Sequence, residues 1–212
     1  GSKNMCSNKI PKTVIERIPF YINYLDRLIE NNVEMTSSKI MADELCLGEV
    51  QVRKDLNLIS GKGKPKIGYN VKELRDDFER LVRDEDLTRM IIVGAGKIGE
   101  GLANYKGFQK SGFKLMGIFD NDINKIGKKI LNLEILPEDQ LKNYCHTNKI
   151  DIGIITVPST NAQKVCNDIV LSGVKGILNF TNVKLEVPEG ISVRNVDISS
   201  LLTMLAIEIK NN

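Results

Sequence analysis

The most constraining feature of this chain is a short apolar run that stops abruptly in glycines. It reads Arg89-Met-Ile-Ile-Val93, then Gly94-Ala-Gly-Lys-Ile-Gly99, then a helical stretch from Glu100-Gly-Leu-Ala-Asn-Tyr. Strand, G-x-G-x-x-G and helix in that order open a dinucleotide-binding βαβ unit. The reason is steric and electrostatic. Gly94 allows the tight turn, Gly96 lets a pyrophosphate approach the backbone, and Gly99 lets helix and strand pack closely, with the helix N-terminus facing the phosphate charge. The next strand, Phe113-Lys-Leu-Met-Gly-Ile-Phe119, ends in Asp120, 21 residues after Gly99. A carboxylate there accepts from both ribose hydroxyls of an adenosine and repels a 2′-phosphate, which favours NAD over NADP. The competing reading of Asp120 is a helix cap or turn residue before Asn121.

The α/β alternation continues downstream. Leu136 to Asn148 reads as helix and Asp151-Ile-Gly-Ile-Ile-Thr-Val157 as a buried strand, ended by Pro158 where a ligand would sit above the strand's carboxyl end. Ser159 to Ser172 is the next helix, Gly176 to Phe180 the next strand and Ile191 to Val196 the last. Asp197 then caps a helix from Ile198 to Lys210 that is apolar nearly all round. Such a helix has to be buried, and a dimer partner is the natural place.

Upstream the pattern differs. Ile15, Ile18, Ile22, Leu25, Leu28 and Ile29 recur at helical spacing between Thr13 and Asn31, with Pro19 as a candidate start of the regular helix. Thr36, Ser37 or Ser38 can cap a short helix ending near Leu45, and Cys46-Leu47-Gly48 reads as a tight turn. A third helix runs from Glu49 to about Ile59, turning Val52, Leu56 and Ile59 inward and Gln51, Arg53, Lys54 and Asn57 outward. Ser60-Gly-Lys-Gly-Lys-Pro-Lys-Ile-Gly-Tyr69 has the composition of a β-hairpin tip. Helix-turn-helix followed by a basic hairpin is the winged-helix plan, in which the third helix fits a major groove and a lysine-bearing wing reaches along the backbone. A charged helix, Val71 to Leu87, then connects to the glycine-rich unit.

The charge distribution bears on this plan. Between Val50 and Lys72 stand Arg53, Lys54, Lys62, Lys64, Lys66 and Lys72 against the single acid Asp55, a net +5 that exceeds the whole chain's +3. A polyanion-binding surface is therefore localised to one stretch. A solvated face and a protein-binding winged helix are the competing readings.

With 42% hydrophobic and 27% charged residues the chain is globular rather than disordered. It contains no apolar run of about 18 to 20 residues and no signal-peptide core near its start, so a cytoplasmic protein without a membrane partner is expected. Cys6, Cys46, Cys145 and Cys166 are scattered without metal-ligand spacing, so no metal is expected and the thiols fit a reducing compartment.

The joint pattern resembles the Rex family of redox-sensing transcriptional repressors, over essentially the whole chain. The phrases that carry it are Ile18-Pro-Phe-Tyr21, Gln51-Val-Arg-Lys-Asp-Leu56, Gly68-Tyr69, Val93-Gly-Ala-Gly-Lys-Ile-Gly99, Asn104-Tyr105, Gly117-Ile-Phe-Asp120, Thr156-Val-Pro158, Asn179-Phe180 and Val196-Asp197. The resemblance implies an α/β protein with a winged-helix DNA-binding domain and linker helix over 1–86. A Rossmann-like NAD(H)-binding domain over 87–196 and a dimerisation helix over 197–212, swapped between subunits, would follow. It implies a homodimer that binds an inverted-repeat operator with NAD⁺ or no nucleotide and releases it when NADH rises.

Carried onto this sequence, the cofactor residues would be Gly94, Ala95, Gly96, Lys97, Ile98, Gly99, Tyr105, Asp120, Thr156, Val157 and Pro158, with Ile198 approaching the partner's nicotinamide. Ser38, Gln51, Arg53, Lys54, Lys62, Lys64, Lys66 and Tyr69 would meet DNA. Arg17, Tyr105 and Asp197 would form the polar switch, Arg17 linking the two domains. Two departures stand out: the wing has Ile59-Ser60-Gly61 and Lys64-Pro-Lys66 where the family usually carries an aromatic and an arginine, and Asn182 replaces the usual proline after Thr181.

Two other readings compete. An NAD-dependent oxidoreductase would need a proton donor or acceptor and a substrate domain, yet only 126 residues follow Asp86, and the single histidine, His146, lies late in a helix. A repressor answering to another adenine nucleotide, such as ATP or coenzyme A, is the second, with Asp120 counting against ligands that lack free ribose hydroxyls.

Overall fold

The computed structural model describes residues 10–65, 67–82 and 87–211, and the chain divides into two compact units, Gly1–Asp84 and Glu85–Asn212. Cys6, Lys66 and the last turn of the expected linker helix lie outside the described residues.

In the first unit, α1 (Lys12–Glu30) buries Val14, Ile18, Tyr21, Tyr24 and Leu25 along one face. The helix does not begin at Pro19, as the sequence predicts, but at Lys12, with the Val14 and Ile15 amides donating to the Pro11 carbonyl. Pro19 is tolerated inside because both it and Ile15, whose carbonyl loses a donor, face solvent. Next, α2 (Ser38–Glu44) is capped by Ser37, whose Oγ accepts from the Ile40 amide at 3.2 Å. The turn at Cys46 takes a left-handed φ of 52°, and the Leu47 amide donates back to the Ala42 carbonyl, closing the helix end. After it comes α3 (Glu49–Ile59), which buries Val52 and Leu56 against α1 and α2 residues Tyr21, Leu25 and Met41.

The segment after α3 forms a small wing. Lys64 and Gly68 exchange backbone hydrogen bonds across a turn, and β2 (Tyr69–Asn70) pairs antiparallel with β1 (Met35–Thr36). Gly68 is obligatory: its φ is +94° and a Cβ there would overlap the Thr36 carbonyl. The last helix of this unit, α4 (Val71–Val82), closes the core with Val71, Leu74 and Phe78.

The second unit is built on a seven-stranded sheet in the order β5-β6-β4-β3-β7-β8-β9. Its strands are β3 (Thr88–Val93), β4 (Phe113–Asp120), β5 (Lys129–Ile130), β6 (Leu133–Pro137), β7 (Ile152–Ile155), β8 (Gly176–Asn179) and β9 (Ser192–Asn195). All neighbours are parallel except β5 with β6. The six parallel strands have the doubly wound Rossmann order, and the direction of winding reverses between β3 and β7. Helices α5 (Lys97–Ala103), α6 (Gly107–Lys110), α7 (Leu141–Asn148) and α8 (Ser159–Leu171) complete the wound unit, with α7 and α8 contributing Leu141, Cys145, Val165 and Ile169 to one core beneath the sheet. The helix predicted from Leu136 is shorter than its apolar signal: Leu136 belongs to β6, and a 3₁₀ turn, Glu138–Gln140, separates it from α7. The reason is pairing, since Ile135, Leu136 and Pro137 lie in parallel register with Ile118, Phe119 and Asp120. Last comes α9 (Ile198–Asn211), every residue of which is exposed in the single chain although Leu201, Leu202, Leu205 and Ile209 lie on it.

Candidate functional sites

In a doubly wound sheet the ligand crevice lies beyond the carboxyl ends of the strands at the reversal point. Here that point lies where Val93, the last residue of β3, stands in register with Ile155, the last of β7, with Gly94 and Thr156 following them. Gly94 turns at φ +109°, and a Cβ on it would come within 2.7 Å of the Thr156 backbone. Thr156 locks the turn, its Oγ1 donating to the Gly94 carbonyl at 2.7 Å and the Val93 carbonyl at 3.1 Å. Gly99 sits against the Gly94 carbonyl with no room for a side chain, which is the close packing expected of the third glycine. Gly96 differs: nothing stands within 4 Å of where its Cβ would be. It is the N-cap of α5, which begins three residues earlier than its sequence signal, so Lys97 and Ile98 lie in the first turn and are exposed. The open backbone at Gly96, next to first-turn amides that have no helical partners, fits a phosphate group.

Asp120 ends β4 with only 5% of its surface exposed. Oδ2 accepts from the Ala95 amide at 2.7 Å and from Lys125 Nζ at 3.0 Å, while Oδ1 accepts from the Asp122 amide at 2.8 Å. Burial pushes the carboxyl up, but these hydrogen bonds and the Lys125 charge outweigh it and hold the acid below its ordinary value. The turn role and the ribose role are therefore compatible. An ionised carboxylate has about four acceptor positions and three are used, so one remains for a single hydroxyl, not for both as the spacing argument expects. Through Ala95 the same residue tethers the glycine-rich loop, a role that sequence spacing does not reveal.

The other cofactor candidates differ in placement. Val157 is buried, Pro158 is the exposed N-cap of α8, and Ile198 begins α9 at 59% exposure. Tyr105 is 60% exposed, its ring edge-on to Phe108 at 5.0 Å. Asp197 caps α9, its Oδ1 accepting from the Ser200 amide and its Oδ2 from the Ser200 hydroxyl, and these bonds hold its carboxyl below the ordinary value although it is exposed. At the end of β8, fully buried Asn179 donates to the Val183 carbonyl and Asn195 Oδ1 and accepts from Thr181, organising the loop that carries Asn182. Asn182 Oδ1 in turn accepts from Ser159 Oγ at 2.6 Å, a tie to the start of α8 that proline could not make.

In the first unit, Gln51, Arg53 and Lys54 are exposed on α3, and Ser38 is half-buried at the start of α2. Lys64 is exposed on the wing, and Lys66 lies outside the described residues. Lys62 donates to Asp77 Oδ1 at 2.8 Å, and Ser60 and Arg80 donate to the same carboxylate, so Asp77 on α4 anchors the wing's base. Tyr69 is a correction to the expected DNA-facing set: it is 7% exposed, its hydroxyl donates to Asn57 Oδ1, and its ring lies where a Cβ of Gly63 would be. Its bulk is spent supporting the wing from beneath. Arg17 is engaged within this unit, Nε and Nη2 donating to Asp55 Oδ2 at 2.7 Å and Oδ1 at 3.0 Å.

Cys145 is buried and its thiol is pushed up to about 11, so it is not a reactive thiolate, and His146 is exposed on α7. Among the described residues no cluster of metal-ligating side chains occurs, and no helix is long and apolar enough to cross a membrane.

Comparison with known proteins accords with both halves. Residues 85–183 match a family model described as a CoA binding domain, and residues 9–57 match one described as a putative DNA-binding protein N-terminus. The redox-sensing transcriptional repressor Rex of Clostridium perfringens is 44% identical over 206 residues, spanning 96% of each chain. Solved structures of RSP, a Rex-family repressor, are 35% identical to this chain. RSP with β-NAD⁺ and operator DNA aligns at a TM-score of 0.90, over 96% of this chain and 94% of that one. RSP with β-NADH aligns at 0.86 over 95% of each. Identity of this order along nearly the full length, with the glycine-rich turn and the third helix that exposes Arg53 and Lys54 both in place, means that the chain belongs to the Rex family of redox-sensing transcriptional repressors.

Proposed function

We propose that this protein is a repressor that binds operator DNA through its first unit and NAD(H) through its second, releasing DNA when NADH rises. The observation that carries the reading is the pairing, in one chain, of a third helix that exposes Arg53 and Lys54 and a lysine-bearing wing with a glycine-rich turn whose Gly96 is open and whose strand-end Asp120 keeps an acceptor position to spare. Among relatives, structures of RSP with NAD⁺ and operator DNA and with NADH support it.

Arg53 and Lys54 contact phosphates or base edges, with Lys64 on the wing and Lys66, outside the described residues, in the same basic stretch; Lys62, held by Asp77, contributes by positioning. Gly94 to Gly99 hold the pyrophosphate, Asp120 holds the adenosine ribose, and Val157 and Pro158 line the cofactor. The apolar face of α9 is covered by a second copy in a homodimer, with Ile198 near the partner's nicotinamide and with Tyr105 and Asp197 as the switch; Arg17, expected to join them, is held by Asp55 within the first unit. Two-fold symmetry then requires an inverted-repeat operator. The protein is a sensor rather than an enzyme, acting in the cytoplasm where chromosome and nucleotide pool meet. The linkage is reciprocal: NADH binds the DNA-incompetent arrangement more tightly, so DNA weakens NADH binding by the same factor.

The test is fluorescence anisotropy of labelled operator DNA at fixed salt, with NADH and then NAD⁺ titrated into the complex. Release by NADH and not by NAD⁺ is expected. A complex indifferent to both nucleotides would reject NAD(H) sensing and return the other adenine-nucleotide reading.

A further inference from the structure

The Arg17 guanidinium does more than pair with Asp55. It reaches two side chains of α3 that stand one helical turn apart. With the Gln51 amide oriented so that its oxygen faces the guanidinium, Oε1 accepts from Arg17 Nη1 at 2.8 Å and Nη2 at 3.2 Å. The orientation is forced by chemistry, because a guanidinium offers only donors and an amide nitrogen facing it would be two donors opposed. Asp55 is 4% exposed, takes both Nε and Nη2 from Arg17, and accepts the Tyr21 hydroxyl at 2.7 Å on Oδ2. Tyr21 itself is fully buried on α1. The guanidinium is thus clamped in the plane that faces Gln51, and lysine could not span both partners with such a fork.

Gln51 is exposed at the start of the recognition helix, beside Arg53 and Lys54. A free glutamine is ambivalent, offering a donor or an acceptor by rotating its amide, and a glutamine reading adenine uses both groups at once. Here the oxygen is already committed. We infer that Arg17, held by Asp55, fixes Gln51 as a one-way hydrogen-bond donor toward DNA, so that position 51 recognises an acceptor: a phosphate oxygen or an acceptor atom on a base edge. Arg17 and Asp55 are positioning residues in this arrangement, and Gln51 is the reader. The inference rests on the proposed DNA-binding role of α3.

The test is a double-mutant cycle on DNA affinity without nucleotide, using operator and scrambled duplexes, with NADH affinity and thermal unfolding measured on every variant. Gln51→Met and Arg17→Lys should each weaken operator binding roughly three- to tenfold, the worth of one hydrogen bond. The double variant should be no weaker than Gln51→Met alone. Gln51→Glu, which keeps Arg17's partner but presents only acceptors, should lose at least as much as Gln51→Met while its NADH affinity stays unchanged. Loss on operator alone identifies a base acceptor, and equal loss on both duplexes a phosphate. Additive losses, or a Gln51→Met variant that binds like the parent, overturn the inference while leaving the repressor reading intact. A parent protein that fails to bind operator DNA at all overturns both.

Discussion

At the scale of single residues, charge placement separates contact from support. Arg53 and Lys54 are exposed on α3 and expected to meet DNA, so Arg53→Ala and Lys54→Ala should each weaken operator binding by roughly tenfold and flatten its salt dependence by about one counterion. NADH affinity, measured by fluorescence titration, should not move. Asp77 supports instead. Burial pushes its carboxyl up, but hydrogen bonds from Lys62 and Ser60 and the charges of Lys62 and Arg80 hold it below its ordinary value. A depressed acid stabilises the fold above its unfolded-state value and loses that contribution as pH falls through the folded one. Asp77→Asn should therefore cost about 1–2 kcal/mol at neutral pH, discounted because Lys62 and Arg80 are half or more exposed. Urea unfolding followed from pH 7 down should show the gap closing only below the ordinary carboxylate range. The chain's identity at position 77 is plain in the sequence, but nothing in a run of two aspartates, Asp76 and Asp77, tells which one turns inward to the wing.

At the scale of elements, the three glycines of the turn have different jobs, and substitution should separate them. Gly96 has open space at its Cβ, whereas Gly99 is packed on the Gly94 carbonyl. Gly96→Val should leave the unfolding midpoint within about 2 °C of the parent while reducing NADH affinity more than tenfold, because the side chain fills the phosphate's approach. Gly99→Val should lower the midpoint by several degrees at least, on the order of 2 kcal/mol or more, since the backbone itself must move. Element type was legible wherever periodicity and punctuation agreed, as at β3, β4, α8 and the turn after Val93. Boundaries were not. Pro19 reads as a start signal, yet Pro11 serves that role because Pro19 falls on the solvent face of a longer helix. Leu136 reads as helix, yet its pairing with β4 makes it strand.

At the scale of the whole molecule, α9 is the unresolved obligation of the single chain. Its apolar residues are exposed from Ile198 to Ile209, a surface that a lone copy would have to hold in water. Leu202→Asp combined with Leu205→Asp should convert a dimer to a monomer in sedimentation analysis and abolish binding to a two-half-site operator. A variant that stays dimeric would reject α9 as the interface. Tyr105→Phe and Asp197→Ala should retain DNA binding but lose most of the NADH response, which anisotropy reads directly. Normal release by NADH in both would remove these residues from the switch.

The sequence by itself determined the two-part organisation, the strand–turn–helix succession that opens the second part, the glycine-rich turn and the acid that follows it, because these depend on local steric rules and on spacing along one chain. It also located the basic stretch, since charge density needs no coordinates. Only the tertiary structure decided which polar groups are committed: Lys62 to Asp77, Asp120 to Ala95 and Lys125, Tyr69 to the base of the wing, and Arg17 to Asp55 and Gln51. Those partners lie from a few to several tens of residues apart, and a hydrogen bond between them exists only where packing of the surrounding apolar core brings donor and acceptor within reach.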